Sequence, residues 1–134
     1  MNYVTLLKDN NLKATPQRLS IVEELYLNGH MNIDQLYKSL LTKFPSISLA
    51  TIYKNINAMI EIYFLAEVKL PNKKSVYELT KQEHSHVLCS QCGNVMDITL
   101  DLTKLCEQAK EKSNYTLKDS SIVFNGICPK CNNN

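Results

Sequence analysis

Two Cys-x-x-Cys pairs, Cys89/Cys92 and Cys128/Cys131, constrain this 134-residue chain more than any other feature. Four thiols in two such turns match the tetrahedral all-sulfur ligand set of a closed zinc site, and Gly93 relaxes the turn after the first pair. The pairs lie farther apart than in a compact zinc ribbon, so one ion held by all four must staple the start and end of a whole subdomain. Closing so long a loop takes freedom from the unfolded chain. A subdomain of roughly 50 residues is also too small to rely on its core alone. The other readings are enzymatic. A thiol–disulfide oxidoreductase uses one C-x-x-C at a helix start, not two at opposite ends of a subdomain. A zinc hydrolase needs an open metal position with a general base beside it, and four cysteines leave none open. The fifth cysteine, Cys106, falls on the apolar stripe of a helix and reads as a buried, inert thiol.

Composition narrows the setting. No long apolar leader opens the chain, and no apolar run approaches the ~18 residues of a membrane span, so a cytoplasmic protein with no membrane partner is expected. Five cysteines in a reducing compartment then point to metal or redox chemistry rather than a disulfide framework. The formal charge of +2 is too small to prove a nucleic-acid partner. It is unevenly spread: residues 1–83 carry 10 Lys/Arg against 8 Asp/Glu, while residues 84–134 carry 5 against 5.

The N-terminal part reads as helices followed by a hairpin. Val4, Leu6 and Leu7 mark a short helical lead. Thr15 suits a helix cap and Pro16 the first helical position; Leu19, Val22, Leu25 and Tyr26 continue at helical spacing until Asn28-Gly29. His30-Met31-Asn32 reads as a loop. Ile33, Leu36, Tyr37, Leu40 and Leu41 form a second stripe that ends before Phe44-Pro45. Ser46 or Ser48 caps a third helix, in which Leu49, Ile52, Ile56, Met59 and Ile60 share one face while Thr51, Lys54, Asn55 and Ala58 point away. Strands are expected at Phe64–Leu70 and Ser75–Leu79, joined by the basic tip Pro71-Asn72-Lys73-Lys74. Helix, helix, helix, basic hairpin is the order of a winged helix, whose third helix enters the major groove while the hairpin follows the phosphates. An ordinary three-helix core with a solvated face has the same periodicity. The outward face favours DNA, because small residues with a Lys and an Asn allow close approach to bases. Tyr53 on the flank fits either a thymine methyl or a core edge with a wet hydroxyl.

Beyond a polar stretch near Thr80–Glu83 the pattern changes. Strands are expected at Val95–Ile98, Tyr115–Leu117 and Ser121–Phe124, and a helix at Asp101–Lys112 with Leu102, Leu105, Cys106 and Ala109 on one face. His84 and His86 form an i, i+2 pair on a strand, so both rings leave the same face. Glu78 lies on the preceding strand and Asp97 on the following one. Imidazoles with carboxylates suit Fe(II), Mn(II) or Zn(II); surface polar residues would look the same from the sequence alone.

Taken together, Leu12–Arg18 (LKATPQR), Ser46–Asn57 (SISLATIYKNIN), Tyr77–Thr80 (YELT), His84–Gly93 (HSHVLCSQCG) and Cys128–Cys131 resemble the ferric uptake regulator family over nearly the whole chain. The resemblance implies an α+β fold: a winged helix-turn-helix DNA-binding domain at 1–80, a hinge at 81–84, and a small α/β dimerisation and structural-zinc domain at 85–134. It implies a homodimeric, metal-dependent repressor, not an enzyme, that binds double-stranded DNA at an A/T-rich palindrome. Structural Zn(II) would be held by Cys89, Cys92, Cys128 and Cys131. A regulatory Fe(II) or Mn(II) would be held by His30, Glu78, His84, His86 and Asp97. DNA would be met by Lys13, Arg18, Ser48, Thr51, Tyr53, Lys54 and Asn55, with Lys13 in the minor groove and Tyr53 with its helix in the major groove. Asp97 resembles the peroxide-sensing, PerR-like members, whereas Glu78 resembles the iron sensors. Ser85, Lys104 and Ser120 stand where many iron sensors carry a second set of ligands, which implies two metals per subunit.

Overall fold

The computed structural model describes residues 2–132, and the chain divides into two compact units, Met1–Lys81 and Gln82–Asn134. The first unit runs α1 (Tyr3–Asp9), α2 (Pro16–Asn28), β1 (Met31–Asn32), α3 (Ile33–Leu41), α4 (Leu49–Glu61), β2 (Leu65–Val68) and β3 (Val76–Leu79). Local chemistry fixes where its helices start. The Thr15 hydroxyl accepts from the Arg18 N–H ahead of Pro16, and the Ser48 hydroxyl accepts from the Thr51 N–H. Asn32 and Gln35 form a reciprocal capping box at the head of α3. Gly29 ends α2 with φ of +80°, a conformation that side chains with a Cβ rarely adopt.

The helices enclose one core. Leu7, Ile21, Val22, Leu25, Leu36, Leu40, Ile52, Ile56, Met59 and Leu65 are all essentially inaccessible. Each fully buried aliphatic side chain contributes about 1.5–3 kcal/mol against the entropy of ordering the chain. Beside the helices lies a three-stranded antiparallel sheet in the order β1-β3-β2. The stretch expected to be loop at His30-Met31-Asn32 is partly strand: Met31 pairs with Tyr77 and Asn32 with Val76. Two residues are too few to show a periodicity, so only the partner strand reveals them.

The helix that reads as the third also turns differently from expectation. Ile52, Ile56 and Met59 are buried as expected, but Leu49 is 41% exposed and Asn55 only 8% exposed. The stripe open to solvent is Leu49, Ala50, Tyr53, Lys54 and Asn57.

The second unit runs β4 (Ser85–Cys89), β5 (Val95–Ile98), α5 (Thr103–Ser113), β6 (Val123–Gly126) and α6 (Pro129–Asn132). Its sheet order is β5-β4-β6, antiparallel between β4 and β5 and parallel between β4 and β6. Tyr115–Leu117, expected as a strand, is in none; Tyr115 is largely exposed, and among the described residues no strand pairs with it. The last strand lies two residues later than expected, and α6 was not anticipated. Among the described residues of this unit, only Leu88 and Cys89 are buried hydrophobics. Helix α5 buries none of its residues, and Cys106 is half-buried rather than fully enclosed. Met96, Leu105, Phe124 and Ile127 are all exposed. No helix of the described residues is long and apolar enough to cross a membrane.

Candidate metal centres and nucleic-acid face

The parallel pairing of β4 with β6 brings the two cysteine pairs together. Cys89 ends β4 and registers against Gly126, two residues before Cys128. The Ser90 N–H donates to the Gly126 carbonyl at 2.8 Å, which locks this end of the sheet. Gly93, at φ +78°, lets the chain turn back so that its N–H donates to the Cys89 carbonyl. Helix α6 presents Cys131 one turn beyond Cys128.

The sulfurs of Cys89, Cys92, Cys128 and Cys131 all lie within 4.8 Å of one another, and those of Cys92 and Cys128 are 3.9 Å apart. A tetrahedron with metal–sulfur bonds of ~2.3 Å has edges of about 3.8 Å, so the cage fits zinc. The N–H groups of Cys128 and Cys92 point at the Cys89 sulfur, at 3.4 and 3.5 Å, and hold its thiol down to about 5. Cys131 is driven the other way, up to about 12, by its sulfur's hydrogen bond with Cys128, by burial, and by neighbouring sulfur charge. The physical content is that the cage favours a first thiolate and resists a fourth unless a cation sits among them.

At the opposite end of β4 the chemistry turns to nitrogen and oxygen. His86 registers against Asp97 across β4 and β5. Asp97 Oδ1 is 3.4 Å from His86 Nε2 and 3.6 Å from His84 Nε2. The rings of His84, just before the strand, and His86 lie with centroids 4.5 Å apart, so both leave the same face as expected. His84 Nδ1–H donates to the Gln82 carbonyl at 2.7 Å, which selects the tautomer whose Nε2 lone pair faces Asp97. A lone pair and a carboxylate oxygen at this separation repel unless a proton or a cation lies between them, and the donor set suits a divalent ion of intermediate hardness.

The other two expected ligands lie in the first unit. Gly29 releases the chain from α2, and the β1–β3 pairing lays His30 beside the strand that carries Glu78. His30 Nε2 is 2.8 Å from Glu78 Oε2. Glu78 is only 2% exposed, and a carboxylate so deeply buried is costly without a cationic or hydrogen-bonding partner. The five residues expected to hold a regulatory ion thus form two pre-arranged groups, His30 with Glu78 in one unit and His84, His86 and Asp97 in the other.

Of the expected DNA contacts, Tyr53 and Lys54 stand on the open stripe of α4, with Ser48 at its cap and Thr51 half-buried. Lys13 is exposed between α1 and α2. Asn55 corrects the outward placement expected on the helix: its Oδ1 accepts from Arg18 Nε at 3.0 Å and its Nδ2 donates to the Thr51 carbonyl at 3.0 Å, so its amide faces into the unit. Leu49, expected on the buried face, shares the open stripe with Ala50 and Asn57; a helical wheel phased on Tyr53 and Lys54 rather than on Asn55 places all three there. Of the two charges at the hairpin tip, Lys74 is engaged by Asp34 of α3 at 2.6 Å, while Lys73 is exposed.

Comparison with known proteins shows the family of the chain. A model of the Ferric uptake regulator family matches residues 9–125. The chain is 30% identical to a peroxide-responsive repressor PerR of Staphylococcus saprophyticus, over 96% of this chain and 88% of that protein. It is 32% identical to the ferric uptake regulation protein of Bacillus subtilis, over 94% and 89% of the two chains. The crystal structure of the Campylobacter jejuni peroxide stress regulator superposes with a TM-score of 0.73 at 36% identity, covering 98% of this chain and all of that one. With the matched region spanning most of its length, the chain belongs to the ferric uptake regulator family.

Proposed function

We propose that this chain is a metal-dependent DNA-binding transcriptional repressor that senses peroxide. The observation that carries the reading is strand β4: His84 just before it and His86 on it face Asp97 of β5 at one end, and Cys89 at the other end enters a zinc-shaped thiol cage. In this reading Cys89, Cys92, Cys128 and Cys131 hold a permanent Zn(II). His30, Glu78, His84, His86 and Asp97 together take one exchangeable Fe(II) or Mn(II). The first unit is a winged helix for residues 1–80, residues 81–84 are a hinge, and residues 85–134 form the dimerisation domain. The thin core of the second unit and its exposed Met96, Leu105, Phe124 and Ile127 support a homodimer, since a second copy would cover them. The protein acts in the cytoplasm and is not an enzyme: the four thiols close their site, which leaves no position for a substrate.

The ligands come from two units, so their common grip on one ion favours a single arrangement of them and selects the dimer whose two α4 helices meet successive major grooves. Lys13, Arg18, Ser48, Thr51, Tyr53 and Lys54 meet the operator, an A/T-rich palindrome. Bound Fe(II) would lend the electron that breaks the peroxide O–O bond beside these imidazoles and take it back afterwards, whereas Mn(II) would not. One peroxide oxygen would end on a ring carbon of His30 or His84 and the other would leave as water; the imidazole, not the iron, would be the group oxidised overall, and losing that ligand would loosen the grip and release DNA. Glu78, the residue that resembles the iron sensors, favours a second reading as an iron-responsive repressor of iron uptake.

The test loads the protein with Fe(II) or Mn(II), adds peroxide, and weighs the His30 and His84 peptides while binding to an A/T-rich palindromic duplex is followed. A gain of ~16 Da, one oxygen atom, in the Fe form together with loss of binding supports peroxide sensing. Metal-dependent binding without that gain supports the iron sensor instead. Absence of metal-dependent binding would remove both.

A further inference from the structure

We infer that Asn55 is a positioning residue, not a base reader: through Arg18 it ties the segment that carries Lys13 to the recognition helix α4. The inference rests on the DNA-binding reading above and deepens it. Arg18 is anchored at three points. Its backbone N–H donates to Thr15 Oγ1 at 3.3 Å, its Nη1 to the Lys13 carbonyl at 3.0 Å, and its Nε to Asn55 Oδ1 at 3.0 Å. The first two bonds fold Lys13–Thr15, which has no helical or strand ladder of its own, onto the head of α2. The third joins that head to α4. Asn55 is itself held, because Nδ2 donates to the Thr51 carbonyl one turn back. A planar guanidinium gives its bonds in fixed directions, so the distance and angle between the Lys13 segment and α4 follow from it.

The consequence concerns how two grooves are read at once. Lys13 is exposed on the segment, and Tyr53 and Lys54 are exposed on α4 in the positions just before Asn55. A chain that places one group in a minor groove and others in the adjacent major groove gains from both only if their separation is preset; otherwise binding must order them. The Arg18–Asn55 bond presets it, and the amide's burial keeps water from competing for the bond.

The test is a double-mutant cycle on the full metal-loaded chain, read by anisotropy of a labelled A/T-rich palindromic duplex. Asn55→Leu keeps volume and burial but removes the acceptor. It should weaken binding about tenfold, the size of one lost charge-assisted hydrogen bond, and by the same factor on duplexes altered at single base pairs. In the Asn55→Leu background Lys13→Ala should cost far less than it does alone. Asn55→Asp keeps an acceptor facing Arg18 but sets a carboxylate oxygen against the Thr51 carbonyl, so it should restore the effect of Lys13→Ala without restoring full affinity; if Asn55→Leu does not fold, Asn55→Ala takes its place in the cycle. Strictly additive losses, or a loss confined to one base pair, would overturn the inference. Amide hydrogen exchange without DNA separates the two readings. Faster exchange of the Leu12 and Arg18 amides, which hold the two ends of the Lys13–Thr15 segment, in Asn55→Leu, with the rest of α2 and α4 unchanged, supports the tie even if the unaltered protein binds no duplex, and unchanged exchange there overturns it.

Discussion

His86 Nε2 and Asp97 Oδ1 face each other at 3.4 Å across paired positions of β4 and β5, with His84 Nε2 at 3.6 Å from the same oxygen. Sheet register, rather than a flexible loop, sets this geometry, so the group exists before any ion arrives. Asp97→Asn keeps the shape and removes the charge. Affinity for Mn(II) or Fe(II) should fall by about 10–100-fold or more, while zinc content stays at one ion per chain. Titration against a competing chelator dye, with elemental analysis of the same sample, reads both. Equal loss of both metals would show that the two groups are not independent.

The cage should behave as a staple. With zinc bound, the thiols of Cys89, Cys92, Cys128 and Cys131 should resist alkylation, and a strong chelator should expose all four together as the second unit loses its structure. Cys128→Ser should reproduce that loss without chelator, since so small a core gives the unit little stability of its own. Circular dichroism and thiol counting during chelation check it. A single hyper-reactive cysteine in the zinc-bound protein would instead indicate thiol–disulfide chemistry.

Gly29 offers a cleaner test of local strain. A Cβ placed there meets nothing within 4 Å, so Gly29→Ala carries no steric penalty from neighbours, only that of φ +80°. The expected cost is about 1–3 kcal/mol in urea unfolding. Relaxing that strain would also shift His30 away from Glu78, so regulatory-metal affinity should drop although no ligand has changed.

Acid should unpick the start of α5. The Thr103 hydroxyl and N–H donate to Asp101 Oδ1 at 2.7 and 3.1 Å and hold that carboxyl below its ordinary value. Because the folded state lowers this pKa, its stabilisation is complete above the unfolded carboxylate value near ~4 and is lost as pH falls through the folded value. Asp101→Ala should therefore speed amide exchange in the first turn of α5 at neutral pH. The difference from the unaltered protein should shrink as pH falls below the ordinary carboxylate range.

Much of this molecule can be read from residue order, and the exceptions share a cause. Thr15, Ser48 and Gly29 act within one turn of themselves, so the helix limits of the first unit follow from local chemistry. Each pair of cysteines carries its own turn in its spacing, while the pairing of β4 with β6 brings the two pairs together. Asn55 escaped because its partner, Arg18, lies on another helix; a polar residue on a helix reads as solvent-facing until that partner is known. β1 escaped because two residues form a strand only by borrowing the bonds of β3. Tyr115–Leu117 has strand composition but no neighbouring strand among the described residues of its unit, and β propensity without a partner is no more than a preference.

The parallel alignment of β4 and β6 also fixes an order of events. Cys89 and Cys92 come from one turn and meet without help. Cys128 and Cys131 reach them only once β6 has docked beside β4 across the intervening β5 and α5. Such non-local pairing is slow, because loop closure precedes any reward from contact. If the cage takes zinc as proposed, a freshly made chain would pass through a stage in which two thiols alone could hold an ion weakly. Full retention of zinc would then be a record that the chain has found its topology, and the rate of metal capture a clock for that search.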